Sequence, residues 1–492
     1  MKNTFLAFDL GTTVGRAVIG ELNDGILSLR EIHRFENDPV IAEGHSYWNI
    51  EFLFREIKKS LVLVADQNLP IESIGITTWG VDFSILDDSG IPSQPIVSQC
   101  EQFDGSSEGF AQRISADKIY GQTGIPVLNR TSLFQLSNLK KTDNEVIKNS
   151  KHLLFIPDVF NYLLTGIFST EFSTAATSQL YNPVKRMWDH EIFKALGIPV
   201  SIMSRVVEPG SIIGSVSNNV SYETGIARIP VVAVASNATA SAIAAIPATG
   251  NNWVFINTGS TYNIGFEAAR PIINKKSQQL NITNQGGAGP SFLIQITLAG
   301  MSLLEDCRKA WQENKYTVAD LLSLAGASNP FASFIDTDHA SFQNSENLPG
   351  SISEYCISTG QNPPQSHGEI VRTILEGIAL KFRTFIGQVE DLRGVKSETI
   401  YITGDGIEND LLCRFTADWC GIPVITTPDG AAAIGNILIQ AVALGIVKNV
   451  AEIRSISEKS FPTKTYQPSE TKGWEEAYKK YLEITATTNY AG

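Results

Sequence analysis

The 492-residue chain has few of the residues that build metal centres or disulfide frameworks. Its five cysteines, Cys100, Cys307, Cys356, Cys413 and Cys420, are scattered and show neither a disulfide framework nor zinc spacing. The six histidines form no HExxH or similar grouping. Positive charge is also scarce: 38 Lys and Arg face 51 Asp and Glu, leaving a net charge of -13. No basic run is interleaved with aromatic residues, which excludes nucleic acid as the expected partner. Long apolar runs are missing too. The N-terminal run is broken by Asp9, so it does not read as a secretion signal. The most apolar stretch, residues 431–447, is short for a membrane span and is interrupted by Asn436 and Gln440. It reads as a buried helix, with no membrane partner, and the expected location is the cytoplasm. Nothing in the sequence sets the oligomeric state.

What is present describes a globular protein of ordinary composition, 43% hydrophobic and 18% charged. Its length predicts two large domains, because single cores stop growing well before this size.

Residues 5–21, FLAFDLGTTVGRAVIGE, read as strand, tight turn and strand, with apolar runs flanking Asp9-Leu10-Gly11-Thr12-Thr13. Gly11 has no side chain, so its N–H can approach a phosphate, with the Thr12 and Thr13 hydroxyls beside it. Asp9 supplies a carboxylate where a hydrated Mg²⁺ would sit. The plain alternative is an ordinary hairpin with no ligand. Residues 252–267, NWVFINTGSTYNIGFE, repeat the pattern around Asn257-Thr258-Gly259-Ser260-Thr261, close to the chain's midpoint. Two hydroxyl-rich glycine turns, one heading each half, predict a duplicated domain gripping one polyphosphate from both sides. The pair resembles the turns of the actin-like ATPase superfamily, which includes sugar kinases, hexokinases and heat-shock chaperones.

Between these turns the periodicity predicts a helix over residues 47–68, a buried strand at 71–77 and a short strand at 84–86. Trp79-Gly80, followed by Asp82, stands at a strand end where small polar ligands are held; a tryptophan capping the core is the simpler reading. Residues 152–166 read as strand and helix, and 171–180, rich in Ser, Thr and Ala, as irregular or helical surface. An Ala-rich helix opens at Asn237-Ala238-Thr239 after a buried strand at 230–235. The domain boundary is placed near 246–252, giving domains 1–248 and 249–492. In the second half, helices are expected over 291–311, 368–389 and 411–421, with a final buried helix from 429. Strands are expected over 398–403 and 423–426, the first breaking at Gly404-Asp405-Gly406. The alternation predicts α/β layers with a largely parallel sheet in each half.

Seven segments carry a closer resemblance across nearly the whole chain. They are TWGVDFSILDDSG (78–90), FIPDVFNYLLTG (155–166), NITNQGG (281–287), NPFASFID (329–336), YCISTGQNPP (355–364), ILEGIALKFR (374–383) and AIGNILIQAVALG (433–445). Each is weak alone, but their shared order and spacing resemble the FGGY carbohydrate kinases, and among them the rhamnulokinase branch. The resemblance implies two actin-like (ribonuclease H-like) α/β domains with an interdomain cleft, the sugar on the side of the first and the nucleotide on that of the second. It implies transfer of the ATP γ-phosphoryl, with Mg²⁺, to the primary hydroxyl of a ketose such as L-rhamnulose or L-fuculose. By position, Thr12, Thr13, Gly259 and Ser260 match phosphate contacts, Asp9 matches the metal-orienting group, and Gly404 opens the turn that approaches the nucleoside. Gly80, Asp82, Asn237 and Thr239 fall at or beside positions that border the sugar.

The sequence departs from that family at several of these places. The carboxylate that accepts the attacking hydroxyl's proton belongs to a His-Asp-Thr-Ala-Ser-Ala motif; here Asn237-Ala238-Thr239 puts a methyl group at the Asp position. Gln99, Cys100 and Glu101 replace Tyr-Arg-Asp, Asp405 replaces the middle glycine of the nucleoside turn, and Gly430-Ala431-Ala432 replaces Glu-Ala-Thr. Asp82 is the one neighbouring carboxylate nominated as a substitute base. Two functions follow from the resemblance: a sugar kinase that is slow or uses another base, or a descendant that binds sugar or nucleotide as a sensor or partner protein. A superfamily ATPase without a sugar substrate is more distant, because the WGVDF and NITNQGG segments argue against it.

Overall fold

The apolar runs around the Gly11 turn pair as expected. In the computed structural model, which describes residues 2–42, 45–91, 96–97, 106–259, 261–311, 316–343, 345–469 and 473–488, strands β1 (Lys2–Leu10) and β2 (Val14–Asn23) are antiparallel. Strand β3 (Ile26–Glu36) continues the meander through Asp24-Gly25, whose φ angles of 50° and 78° suit the tight turn between twisted strands. Strand β4 (Ile71–Thr77) lies parallel to β1. Strands β5 (Ser211–Ser215) and β6 (Pro230–Ala233) complete the sheet, β6 parallel to β4 and β5 antiparallel to β6. The order is β5-β6-β4-β1-β2-β3.

The second half repeats this order over six strands and adds a seventh, Thr283–Gly286. Strands β7 (Trp253–Thr258), β8 (Thr261–Ala268), β9 (Phe292–Ala299), β10 (Thr399–Gly404), β11 (Val424–Thr426) and β12 (Thr465–Tyr466) run β9-β8-β7-β10-β11-β12, with the seventh strand outside β9. Here too a hairpin joins the central strand antiparallel, two strands follow in parallel, and an antiparallel strand ends the series. Both sheets are therefore mixed, not largely parallel. The short turns at Gly11 and after Thr258 can join only antiparallel neighbours, whereas the parallel joins need the helical crossovers.

The chain divides into two compact units. The first comprises Met1–Thr249, Glu267–Ile294 and Gly430–Pro462, and the second Gly250–Phe266, Gln295–Asp429 and Thr463–Gly492. Two segments from the second half thus belong to the first unit. One of them carries the helix Ala431–Ala443, buried as its composition predicts, with polar Asn436 and Gln440 fully buried inside it. They are tolerated because they meet strand groups: Gln440 donates to the Leu6 carbonyl at 3.1 Å and accepts from the Ser73 hydroxyl at 2.8 Å. Gly435 is required in the same helix, since a β-carbon there would stand 1.9 Å from the Ser241 carbonyl oxygen. The first unit's core packs β1, β2, β4 and the helix Ile50–Asp66 through Leu6, Phe8, Ile19, Leu53, Ile57 and Ile76.

Three expectations fail. Residues 291–311 are strand β9 followed by the helix Ser302–Ala310, because Ile294, Ile296 and Leu298 alternate with Gln295 and Thr297 and Gly300 ends the run. Residues 171–180 are not surface: the helix Phe172–Thr177 is buried throughout. The helix from 429 is not the last, as Val450–Ser460 and Trp474–Thr488 follow it. Among the described residues, no helix is long and apolar enough to cross a membrane.

Candidate active site

In the first unit the candidate residues collect at the carboxyl ends of the parallel strands β1, β4 and β6, the end of an open α/β sheet where ligands bind. β1 ends in the Gly11 turn, which is tied down from β3: the Asn37 side chain donates to the Gly11 carbonyl at 2.6 Å, and its backbone N–H to the Thr13 carbonyl at 2.8 Å. Thr12 is half-buried, while Gly11 and Thr13 are exposed, so backbone and hydroxyls are open to a ligand. Asp9 is buried beneath the turn, and Arg16, its partner across the hairpin, holds one carboxylate oxygen at 2.6 Å. The Thr77 hydroxyl lies 3.4 Å from the other.

β4 continues into the sugar-side positions. The Thr78 N–H donates to the Ser236 carbonyl at 2.9 Å and the Ala238 N–H to the Thr78 carbonyl at 3.0 Å, zipping the segment after β4 to the one after β6. Gly80 abuts the Asn237 amide: a β-carbon on Gly80 would lie 3.1 Å from Asn237 Nδ2. Asn237 caps the helix Ala238–Ala244 through the Thr239 N–H at 3.0 Å. Asn237, Ala238 and Thr239 are all half-buried, so each remains accessible. The structure therefore brings Gly80, Asn237 and Ala238 together and puts an unreactive methyl among them.

Asp82 behaves differently. It is 1% exposed, and Trp48 and Trp79 both donate their indole N–H to its Oδ2, at 2.7 and 2.9 Å. Gln135 donates to Oδ1 at 3.0 Å. The two indole rings stand 4.2 Å apart, and both tryptophans belong to the core. Trp79 is therefore the core cap that the simpler reading anticipated. The preceding residue, Val81, has φ 69°, a left-handed conformation costly for a β-branched side chain, and its carbonyl accepts from the Ser132 hydroxyl at 2.6 Å. A carboxylate so enclosed holds its neighbours in place.

Sequence reasoning missed Glu171. It is fully buried, caps the helix Phe172–Thr177, and accepts from the Ser173 N–H at 2.8 Å, the Ser173 hydroxyl at 2.5 Å and the Ser236 N–H at 3.0 Å. Burial lifts its carboxyl to about 7 against the pull of these donors. Asp158, also buried, accepts the Glu171 N–H at 3.1 Å, and burial together with the charge of Glu171 raises it well above the usual carboxylate range. The local signal was a Glu two and three residues ahead of Ser173 and Thr174, an acidic side chain at a helix start inside a run read only for its small residues.

In the second unit, Gly259 follows β7 and Gly404 ends the parallel neighbour β10, the same topological places. Thr258 locks the two ends: its hydroxyl donates to the Thr403 carbonyl at 2.6 Å and accepts from the Gly406 N–H at 2.7 Å. Gly404 has φ 85°, and a β-carbon there would stand 1.9 Å from the Thr258 carbonyl oxygen, so glycine is obligatory. Asp405 is exposed at the start of the turn Asp405–Glu408. Ser260, Gln99, Cys100 and Glu101 lie outside the described residues. Among the described residues no group of three or more His, Cys, Asp or Glu is placed to hold a metal ion. One arginine-paired carboxylate, Asp9, fits a cation held mainly by phosphate oxygens and water.

Two mixed sheets that share one order over six strands, each with a hydroxyl-bearing glycine turn where its central strand ends, define a two-domain sugar-kinase fold of the actin-like type. The chain belongs to the FGGY family of carbohydrate kinases: the profile of that family's N-terminal domain matches residues 4–244 and that of its C-terminal domain residues 254–444. It is similar to the rhamnulokinase of Bacteroides thetaiotaomicron, 40% identical over 479 residues, covering 97% of this chain and 98% of that protein. The rhamnulokinase of Bacillus subtilis is 31% identical, with 95% and 96% covered. In structure the chain resembles xylulose kinase from Lactobacillus acidophilus, with a TM-score of 0.81 at 17% identity and 99% and 97% covered. It also resembles Plasmodium falciparum glycerol kinase with ADP, with a TM-score of 0.77 at 12% identity and 99% and 98% covered. It is a rhamnulokinase-like member of the family.

Proposed function

We propose that the protein is a cytoplasmic kinase that transfers the γ-phosphoryl of MgATP to the primary hydroxyl of a ketose, L-rhamnulose or its relative L-fuculose. The observation that carries this reading is the 40% identity to a rhamnulokinase along almost the full length of both chains. The open Gly11-Thr12-Thr13 turn and its counterpart at Gly259 offer N–H and hydroxyl donors to phosphate oxygens. Gly404, where no side chain fits, lets the backbone approach the nucleoside. Asp9 orients the metal through water, and the metal, when bound with ATP, spreads the charge of the transferring group. Gly80, Asn237 and Thr239 border the sugar.

Proton removal is the weak step. Phosphoryl transfer rests mainly on positioning and charge neutralisation, so a kinase without its general base keeps part of its rate. At Ala238 no side chain takes the proton, and Asp82, with donors on both oxygens and 1% exposure, is engaged elsewhere. Turnover is therefore slow, with the hydroxyl's proton passing to water or to the phosphoryl oxygens. One observation favours a second reading, a protein that binds sugar or nucleotide without turnover: Ala238 itself. The test is ketose 1-phosphate formation from MgATP and L-rhamnulose by the full-length protein, and absence of product at high enzyme concentration favours the second reading.

A further inference from the structure

Glu171 enters no step above, yet it is an expensive feature. It is a carboxyl group with 0% exposure, and among the described residues no cationic side chain is paired with it. A helix cap alone would need only the Ser173 and Thr174 N–H groups, which it meets at 2.8 and 3.3 Å. Its other contacts reach a distant part of the chain. Oε2 accepts the N–H of Ser236, 65 residues away, at 3.0 Å. The Ser173 hydroxyl, its proton directed at Glu171, accepts the Asn237 N–H at 3.0 Å. Two successive backbone N–H groups of the segment presenting Asn237, Ala238 and Thr239 thus end on one carboxylate, the first directly and the second through a hydroxyl.

We propose that Glu171 is a positioning residue for this turn: it fixes the backbone of Ser236 and Asn237, and thereby the placing of the Asn237 and Thr239 side chains, without touching the sugar. The proposal rests on the reading of Asn237 and Thr239 as sugar-bordering positions. In its ionised form, above about pH 7, Glu171 accepts on both oxygens, as the arrangement requires. Oε1 faces the Ser173 N–H, and Oε2 faces the Ser236 N–H and the Ser173 hydroxyl. A glutamine must therefore point its NH₂ at one of these donors in either orientation, and the turn shifts to relieve the clash.

The experiment is calorimetric titration of the full-length protein with L-rhamnulose and, separately, with ADP, for wild type, Glu171→Gln and Ser173→Ala. Glu171→Gln is expected to weaken ketose binding about tenfold or more, as for loss of one buried hydrogen bond, while ADP affinity stays within about twofold. Ser173→Ala, which cuts only the link to Asn237, is expected to weaken ketose binding by a smaller factor, again sparing ADP. Unchanged ketose affinity in Glu171→Gln overturns the proposal, as does an equal loss of ketose and ADP affinity, which marks a merely structural role. If Glu171→Gln does not fold, Ser173→Ala decides by the same two criteria. Wild-type protein that binds ADP but neither L-rhamnulose nor L-fuculose overturns the sugar-site reading and the proposal with it. Wild-type ketose binding that the variants leave intact overturns the proposal alone.

Discussion

Glutamine at position 171 should also change how stability responds to pH. The Glu171 carboxyl titrates at about 7 in the folded protein against an ordinary 4.5, chiefly because burial disfavours its charge. Below pH 4.5 folded and unfolded chains both hold this proton. Between 4.5 and 7 the folded chain still holds it and the unfolded chain has lost it, so stability falls as pH rises through this window and levels off above 7. The interval corresponds to roughly 3 kcal/mol at about 1.4 kcal/mol per pH unit. For a unit of this size that is about 6 °C in Tm, taking about 2 °C per kcal/mol. Asp158 slopes in the same direction, chiefly through its own burial, which the substitution leaves in place; the smaller part due to the charge of Glu171 is lost in the variant and belongs to the difference. The assay is scanning calorimetry of wild type and Glu171→Gln from pH 5 to pH 8 at constant ionic strength. Wild type should lose Tm relative to the variant by several degrees across the range. A Tm difference that stays constant from pH 5 to pH 8 refutes the reasoning, because it means that Glu171 is already ionised at pH 5.

Two further outcomes follow from the geometry. Asp405→Gly should tighten ATP binding at fixed Mg²⁺ and salt, since it removes an exposed negative charge beside the Gly404 turn; unchanged affinity would show that Asp405 does not meet the phosphates. Gly435→Ala should lower stability by about 1–3 kcal/mol, because its methyl group would overlap the Ser241 carbonyl, and a variant with wild-type Tm would contradict that packing.

Local signals made much of this molecule legible. Apolar runs around Gly11 and Gly259 announced both hairpins, and the 3.6-residue pattern announced the helix Ile50–Asp66. The interrupted apolar run from 431 announced a buried helix, although only the structure shows why Asn436 and Gln440 are welcome in it: their partners Leu6, Phe8 and Ser73 lie more than 300 positions earlier. The same distance concealed that this helix belongs to the first unit. In strand β9 the alternation covers only Ile294 to Leu298 and follows the apolar Phe292-Leu293, so the segment's overall apolar content suits a buried helix as well as a strand. At the candidate site, the glycine turn nominated Asp9, and the family resemblance nominated Gly80, Asn237 and Gly404. Both missed Trp48 and Glu171, whose meaning lies in contacts with Asp82 and with Ser236, and no periodicity encodes those. Asp82 stood out as a carboxylate beside the sugar positions, but its three N–H donors become visible only in the folded chain.

The central claim is that this chain is a sugar kinase whose proton-accepting position is filled by Ala238. Its most direct test is the rate of ketose 1-phosphate formation from MgATP and L-rhamnulose, measured for wild type and Ala238→Asp under identical conditions. The account predicts slow but measurable wild-type turnover that rises in Ala238→Asp by up to the general-base contribution, roughly 10²–10⁴-fold. Fast wild-type turnover that Ala238→Asp leaves unchanged would contradict it.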